Sequence, residues 1–307
     1  MTCVVPSEYK NAQTFTTLIV TPKKNYLSSK FLNQTMHSDN KSSATNRLVT
    51  GGGKGNLNST ALKTYPMFCP SFKEQEKIAS FLTSVDTKIE QLTKKEALLS
   101  SYKNGVMQKI FSGEIRFKAD DGNEFCDWEW KYGNEIFETI TNKNHNSDLP
   151  VLAITQEYGA IPRDMINYQI SVTDKSVATY KVVEIGDFII SLRSFQGGIE
   201  YSNYKGICSP AYIILRPHIE VDDRFYKLYL KTDNYIKQLN KNIEGIRDGK
   251  MISFKQFSEI ILPFPSIEEQ TKIANFLSSI DSKMEQVQKQ LNYIKEFKKA
   301  LLQQMFV

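Results

Sequence analysis

The residues with the clearest chemical potential form one short run that begins at an arginine. Arg193 could bridge O6 and N7 of a guanine, and Gln196 could pair with N6 and N7 of an adenine, in the major groove of DNA. Two glycines end the run and would let the backbone approach a phosphate closely. The candidate contact residues are Arg193, Ser194, Phe195, Gln196, Gly197 and Gly198. The alternative is a strand and a tight turn whose polar side chains are merely exposed.

Two further groups could extend such a surface. Tyr201, Tyr204 and Lys205 follow the run closely, and Lys205 could contact a phosphate and so position the protein on DNA. The two tyrosines could equally be ordinary half-buried residues. Thr155 and Gln156 stand at the end of an early strand and are weaker candidates.

A second polar turn stands later in the chain and has a counterpart near its start. It contains Gly245, Arg247, Asp248, Gly249 and Lys250, and Gly51–Gly55 occupies the matching place. Arg247 and Lys250 are candidates for contact with DNA, because a glycine-rich turn can bring the backbone up to a phosphate. A plain turn before a strand is the alternative.

The sequence offers no convincing catalytic or metal site. Ser209–Tyr212 differs by one residue from the motif with which amino-methyltransferases hold a target nitrogen, but the second proline is missing, and a turn before a strand explains it better. The run that begins at Gly51 lacks the spacing of a phosphate-binding loop. Four cysteines and three histidines are scattered without ligand spacing. The residues themselves therefore suggest neither a catalytic set nor a metal cluster.

The elements that would position these residues come from an internal duplication. Residues 7–111 align with residues 202–306 without a gap, at a constant offset of 195. The match is strongest where Pro70–Gln91 meets Pro265–Gln286, and Pro, Glu-Gln, Lys-Ile-Ala, Phe-Leu and Asp recur in register. A period this long exceeds that of a solenoid. It indicates a duplicated unit of domain plus helix.

Each copy ends in a predicted long helix, over residues 71–112 and 266–306. Apolar side chains alternate at spacings of four and three, which is typical of a coiled-coil seam. The seam interruptions are Glu96, Lys103 and Lys298. Ser71 with Glu74, and Ser266 with Glu269, predict capping boxes at the helix starts. The principal seam residues are Ile78, Leu82, Val85, Ile89, Leu92, Ile273, Leu277, Ile280, Met284 and Val287.

These patterns predict an α+β fold in which globular domains join two long helices that pair with each other within the chain as a coiled coil. A coiled coil that only forms dimers is the alternative. The predicted parts are the C-terminal remnant of a first domain (1–69), the first helix (70–112), a linker (113–126), a complete second domain (127–264) and the second helix (265–307).

Within those parts we expect a strand over Phe15–Pro22, a helical stretch near Lys30–Leu32 and a loop over Asn33–Asn56. The second domain should contain short apolar strands over 151–155, 187–192 and 211–217, and one helix over Arg224–Asn240.

Composition fits a cytoplasmic protein with reduced thiols and no membrane segment. The net charge is +5, and 40% of the residues are hydrophobic. Residues 1–69 carry eight Lys or Arg against two acids, whereas residues 127–264 carry sixteen against eighteen. Because nucleic-acid binders usually cluster basic charge, composition alone supports DNA binding weakly.

The order of these segments resembles the specificity (S) subunit of type I restriction–modification systems, which serve bacterial defence. Similar stretches are the passage Ile110–Trp130 from helix into second domain, the mid-domain segment Ser191–Tyr212, and the twin helix starts at Pro70 and Pro265. The chain departs from the family at the front, where the first part of the N-terminal target-recognition domain is missing.

The resemblance implies a non-catalytic subunit that reads a half-site of a bipartite target on double-stranded DNA. It also implies that the two helices pack antiparallel as a coiled coil that spaces the half-sites. Two modification subunits would dock on these helices, and restriction subunits would translocate and cleave DNA. S-adenosylmethionine, ATP and Mg²⁺ would belong to those partners. Alternatives are an assembly-only scaffold, a half-subunit that pairs with another chain and, on the near-match at Ser209, an adenine methyltransferase.

Overall fold

The computed structural model describes residues 2–9, 14–15, 17–38, 59–64, 67–166, 177–241 and 252–306. The chain forms two compact units, one of Met1–Ser101 with Ser282–Val307 and the other of Tyr102–Asp281. Helices occur in both, and the described strands lie in the second, so the fold is of the mixed α+β kind. The unit boundaries fall inside the long helices, and the domain bounds drawn from the sequence remain predictions.

The helices are dominated by two very long ones. The first long helix, α3, spans Phe72–Phe111, and the second, α9, spans Ile267–Met305, as the period of the apolar residues predicted. The others are α1 Ser29–His37, α2 Ser59–Lys63, α4 Gly133–Ile136, α5 Ser194–Gly197, α6 Asp223–Tyr229, α7 Asp233–Lys241 and α8 Phe254–Ser258. No described helix is both long and apolar enough to cross a membrane.

Each long helix starts with only part of the predicted capping box. Ser71 Oγ accepts from the Glu74 N–H, and Ser266 Oγ accepts from the Glu269 N–H, both at 3.3 Å. The buried Glu269 carboxylate does not close a box, because it accepts two bonds from Arg116, at 2.7 and 2.9 Å, and one from Trp128 Nε1 at 2.9 Å. It thereby fixes the linker against the start of α9.

The strands of the second unit are short and antiparallel. They are β1 Glu129–Tyr132, β2 Phe137–Ile140, β3 Leu152–Thr155, β4 Gly159–Pro162, β5 Lys181–Val183, β6 Phe188–Ile190, β7 Glu200–Tyr201, β8 Gly206–Cys208, β9 Ile213–Pro217 and β10 Ile261–Phe264. One sheet has the order β2-β9-β6-β7, and three two-stranded sheets pair β1 with β10, β3 with β4 and β5 with β8. The core of the four-stranded sheet includes Ile189 and Ile214, both fully buried.

Two predictions of local structure were wrong, and both depended on distant partners. The described residues of Phe15–Pro22 form no strand, because no described strand hydrogen-bonds to them. The single helix expected over Arg224–Asn240 is instead α6 and α7, because Thr232 breaks it. Thr232 Oγ1 donates to the Tyr229 carbonyl and accepts from the Tyr235 N–H, which caps α7.

The predicted loop over Asn33–Asn56 was also wrong at its start, since α1 continues to His37. The first unit closes a small core with its long helices: Phe31 of α1 packs against Ala79, Leu82, Leu302 and Phe306. The tail of the predicted loop, residues 39–56, lies outside the described residues.

A buried glutamine repeats at the start of both long helices. Gln75 Oε1 accepts from the Ser28 N–H at 2.9 Å, and its Nε2 donates to the Pro70 carbonyl at 2.8 Å. In the second unit, Gln270 Oε1 accepts from the Asp222 N–H at 3.0 Å and Nε2 donates to the Pro265 carbonyl at 2.9 Å. Each glutamine thus ties the N-cap of a preceding short helix to the long helix that follows.

The lysines that interrupt the apolar seams each meet an aspartate of the opposite long helix. In the first unit Lys298 Nζ lies 2.5 Å from Asp86 Oδ1, and in the second Lys103 Nζ lies 2.5 Å from Asp281 Oδ1. Lys298 is the counterpart of Lys103, and Asp281 that of Asp86, at the offset of 195. The two copies therefore make the same ion pair reciprocally.

Apolar contacts between the long helices accompany these ion pairs. In the first unit Leu92 of α3 packs with Val287 and Leu291 of α9. All ten principal seam residues are buried or half-buried.

Reversing one charge of these pairs should destabilise the fold, and reversing both should restore it. Lys103→Glu places like charges at Asp281, so we expect a loss of roughly 1 kcal/mol in the free energy of unfolding. Lys103→Glu with Asp281→Lys should recover most of it, as measured by urea unfolding. Lys298→Glu and Asp86→Lys provide the matched second pair. A double variant that loses the sum of both single effects would contradict the pairing.

Candidate nucleic-acid interface

The run Arg193–Gly198 is a tight turn that follows β6 and contains the short helix α5. Ser194, which is 1% exposed, accepts a hydrogen bond from the Ser191 N–H at 2.8 Å. Ser191 Oγ in turn accepts from the Arg193 N–H at 3.2 Å. The side chain of Ser194 therefore supports the turn and is not available on the surface.

Residues from distant parts of the second unit hold the carbonyls of this turn. Lys231 Nζ donates to the Gly197 carbonyl at 2.9 Å and pairs with Glu200 at 2.5 Å. Asn240 Nδ2 donates to the Phe195 carbonyl at 2.8 Å. Burial raises the pKa of Glu200, and Lys231 opposes that shift. Sequence reasoning missed Lys231 and Asn240, because nothing in the local pattern marks a support 34 or 45 residues away.

The β3–β4 hairpin brings Thr155 and Gln156 to the same place. Gln156 Nε2 donates to the Arg193 carbonyl at 3.2 Å. Thr155 Oγ1 donates to the Gly159 carbonyl at 3.1 Å and accepts from the Tyr158 N–H at 3.0 Å, which shapes the hairpin tip. Tyr158 at that tip is 57% exposed. Two candidate groups separated by 37 residues thus form one surface.

Arg193 and Gln196 are exposed on this supported turn. Within the described part of the chain, neither the Arg193 guanidinium nor the Gln196 amide has a hydrogen bond or an ion pair. We call the surface formed by Arg193, Gln196, Gln156 and Tyr158 the polar turn surface. Hydrogen bonds from other side chains fix its backbone, while the Arg193 guanidinium and the Gln196 amide remain free to bind.

The two glycines of the turn are explained by internal packing. Gly198 has φ of 77°, and a Cβ there would lie 2.1 Å from the Leu230 carbonyl oxygen. A Cβ on Gly197 would lie 2.8 Å from the Gln156 side chain. The two glycines are needed because the turn packs closely against Leu230 and Gln156. This role differs from the predicted one, which was to let the backbone approach a phosphate.

The three candidates after the turn differ in their surroundings. Tyr201 is 9% exposed, its hydroxyl donates to Asp223, and burial together with that carboxylate raises its pKa. Tyr204 is half-buried against the sheet core. Lys205 is exposed and pairs with Glu184 at 2.9 Å. Tyr201 is therefore a core residue, as the alternative interpretation held, and Lys205 alone of the three stands on the surface.

Arg247 and Lys250, with Gly245 and its turn, lie outside the described residues, as does Gly51–Gly55. Ser209–Tyr212 forms a turn before β9, in which the Tyr212 N–H donates to the Ser209 carbonyl at 3.1 Å. The described residues contain no group of three or more His, Cys, Asp or Glu that could hold a metal ion.

Substitution of Gly198 should be far more costly than substitution of a glycine with a similar φ in open space. Gly198→Ala combines strain at positive φ with a clash on the Leu230 carbonyl, so we expect a loss of about 3 kcal/mol. Gly113 has φ of 78°, and a Cβ added there would meet no atom within 4 Å. It is the control and should lose about 1 kcal/mol on change to Ala. Urea unfolding measures both, and equal losses would refute the packing explanation.

The sequence is similar to that of known proteins. The family model of the type I restriction modification DNA specificity domain matches residues 3–100 and 124–296. Two relatives come from Methanocaldococcus jannaschii. The putative type I restriction enzyme MjaX specificity subunit is 28% identical over 267 residues, and the match covers 81% of this chain and 60% of that relative. The MjaVIII specificity subunit is 26% identical over 261 residues, covering 76% and 59%. The chain thus spans about 60% of the length of these curated relatives.

Solved structures share the fold. The type I restriction–modification S subunit from M. genitalium superposes with a TM-score of 0.58 at 18% identity, covering 93% of this chain and 74% of that one. A chain from a structure of type I R-M complex assembly and conformational transition gives a TM-score of 0.52 at 18% identity, covering 92% and 71%. With the family model matching most of the sequence, the chain belongs to the type I restriction modification DNA specificity domain family.

Proposed function

We propose that this chain is a non-catalytic DNA-recognition subunit of a type I restriction–modification complex, and that its second domain reads one half-site. The observation that carries the proposal is the polar turn surface. Three side chains from elsewhere in the second unit hold its backbone carbonyls, and Arg193 and Gln196 are left exposed. In a family defined by DNA specificity, such a surface is the natural reader.

The chemistry of the Arg193 guanidinium and the Gln196 amide supports direct recognition of DNA bases. An arginine can donate two parallel bonds to a guanine, and a glutamine can pair with an adenine edge. Each good contact discriminates against a wrong base by ~1–3 kcal/mol. A backbone that is already ordered loses less entropy on binding than a flexible loop, which favours affinity.

Charge suggests that this chain does not bind DNA tightly by itself. Residues 127–264 carry two more acids than bases, and Glu157 stands beside Tyr158 at the hairpin tip and raises its pKa. Phosphate contacts dominate the affinity of most DNA-binding proteins. We infer that partner subunits supply much of this attraction, along with S-adenosylmethionine, ATP and Mg²⁺ chemistry.

We further propose that α3 and α9 pair as an antiparallel coiled coil that spaces the half-sites. The reciprocal ion pairs Asp86–Lys298 and Lys103–Asp281, and the packing of Leu92 on Leu291, support this register. The outer faces would dock two modification subunits and leave the restriction subunits to assemble around them. They carry exposed polar residues, among them Lys88, Glu90, Lys94, Lys283, Glu285 and Lys289.

Exposed apolar pairs at repeat-equivalent positions support two matching docking sites. Leu98 and Tyr102 lie one turn apart on α3 and are 60% and 54% exposed. Their counterparts on α9, Tyr293 and Phe297, are 70% and 39% exposed. An assembly-only scaffold would keep these docking sites but would not direct methylation to a sequence.

Methylation mapping separates recognition from assembly alone. The chain is co-expressed with its modification subunit, and the methylated sites are sequenced. We expect one sequence motif that depends on this chain, and Arg193→Ala with Gln196→Ala should relax it at the base pairs they contact, by roughly 5- to 150-fold per contact. Lys255→Ala, at an exposed cation on α8, is the control and should leave the motif unchanged. A double variant with the unaltered motif would refute the reading role, and no motif with intact co-purification would favour the scaffold.

A further inference from the structure

We propose that Arg163, Lys181 and Tyr212 form a binding site for one phosphate of a DNA backbone, beside Arg193 of the polar turn surface. Arg193 and Gln196 are the proposed readers of bases. The phosphate site would instead position the protein on the duplex, because phosphate contacts fix register and orientation but carry no sequence information directly. This inference rests on the proposed function, since it takes DNA as the ligand of the second domain.

The register of the four-stranded sheet brings Tyr212 next to the turn that carries Arg193. β6 and β9 are antiparallel neighbours, and Ile190 pairs with Ile213. The chain leaves β6 directly after Ile190 and enters β9 directly before Ile213. The start of the turn therefore lies beside Tyr212, at one edge of the sheet.

Lys181 and Arg163 approach Tyr212 from two other sheets. Lys181 belongs to β5, and its Nζ donates to the Tyr212 carbonyl at 2.7 Å. Arg163 directly follows β4. Leu152 and Ala160 of the β3–β4 hairpin belong to the hydrophobic cluster against which the Tyr212 side chain packs. The hairpin, β5 and the turn after β6 thus meet at this tyrosine.

The charges of two arginines act on the Tyr212 hydroxyl. Burial raises the pKa of this hydroxyl, and the positive charges of Arg163 and Arg193 oppose the rise. Because the hydroxyl keeps its proton at neutral pH, it can donate a hydrogen bond to an anion. Within the part of the chain that the structure describes, it has no hydrogen-bond partner.

The cations around Tyr212 lack the carboxylates that pair with other basic residues of the second domain. Among the described residues, Arg163, Lys181 and Arg193 form no ion pair, and Arg163 Nε and Nη1 are buried without a hydrogen-bond partner. Unpaired buried donors cost free energy, which a nearby anion would offset. Carboxylates do pair with Lys131, Lys205, Arg216, Arg224 and Lys231. Positive charge is therefore left unneutralised around Tyr212.

A DNA phosphate suits this site better than an acidic protein segment, because of the position of Arg193. If Arg193 contacts a base edge, the surface beside it comes close to the sugar-phosphate backbone, since the major groove is only about 12 Å wide. A phosphate accepts hydrogen bonds from arginine, lysine and tyrosine alike. Its binding to these cations would also release counterions from the DNA.

The salt dependence of DNA binding tests the site in the complex of the full chain with its modification subunit. The probes are two duplexes, one with the motif found by methylation mapping and one with that motif scrambled. We expect Arg163→Gln to weaken the binding of both by the same factor, roughly tenfold at about 0.1 M salt. The slope of log K against log [salt] should become shallower by about 0.9. Lys255→Gln removes an exposed charge from α8 and, as the control, should change neither quantity.

A duplex with one uncharged methylphosphonate locates the contact. Moved along the motif, this replacement should weaken binding by the unchanged complex at one position, and it should have no further effect there with Arg163→Gln. Tyr212→Phe removes only the hydroxyl and should make binding less sensitive to the same position. Urea unfolding should be unchanged in both variants, because neither side chain loses a partner among the described residues.

An unchanged salt slope in Arg163→Gln would overturn the proposal. A loss confined to the motif duplex would indicate a base contact, and a parallel loss in urea unfolding would indicate a structural role, so either result would also overturn it. Loss of co-purification with the modification subunit would show that the site binds an acidic segment of that partner instead. If the unchanged complex binds both duplexes equally, the proposed reading of bases fails, while the salt slope still decides whether a phosphate is bound at Arg163.

Discussion

Each long helix carries a lysine in its apolar seam, and each of these lysines pairs with an aspartate of the opposite long helix. Lys298 reaches Asp86 in the first unit and Lys103 reaches Asp281 in the second. The end of each long helix also meets a short helix of the other copy. Phe306 packs on Phe31 with ring centroids 5.5 Å apart, and Phe111 packs on Phe225 at the same distance. Each unit thus combines one ion pair between the long helices with one aromatic contact at the end of a long helix.

The sequence was a good guide wherever structure depends on local periodicity, and a poor one wherever it depends on a distant partner. The long helices agree with prediction to within about two residues at each end, because a seam of period 3.5 is visible in the chain itself. Lys103 looked like an interruption because Asp281 is 178 residues away. The apolar pattern of residues 15–22 resembles that of β9 and therefore predicted a strand. A strand forms only where a neighbouring strand pairs with it, and that depends on distant residues.

The same distinction between local pattern and distant partners applies to the candidate site. Residue type and spacing identified Arg193 and Gln196, and both are exposed on the turn. The same pattern could not show that Ser194, Gly198 and Tyr201 serve the interior, since their partners Ser191, Leu230 and Asp223 are set by the fold. The proposed reader therefore consists of few side chains on a backbone that other residues of the second unit hold in place.

Cysteine cross-linking tests the antiparallel register most directly. With the four native cysteines replaced, Asp86→Cys is combined either with Lys298→Cys or with Asp281→Cys, and cross-linking is followed with a short bifunctional reagent. The account predicts rapid intramolecular cross-linking of 86 with 298 and none of 86 with 281. Cross-linking of 86 with 281, its repeat counterpart, would show parallel helices and contradict the reciprocal ion pairs on which the proposed spacer rests.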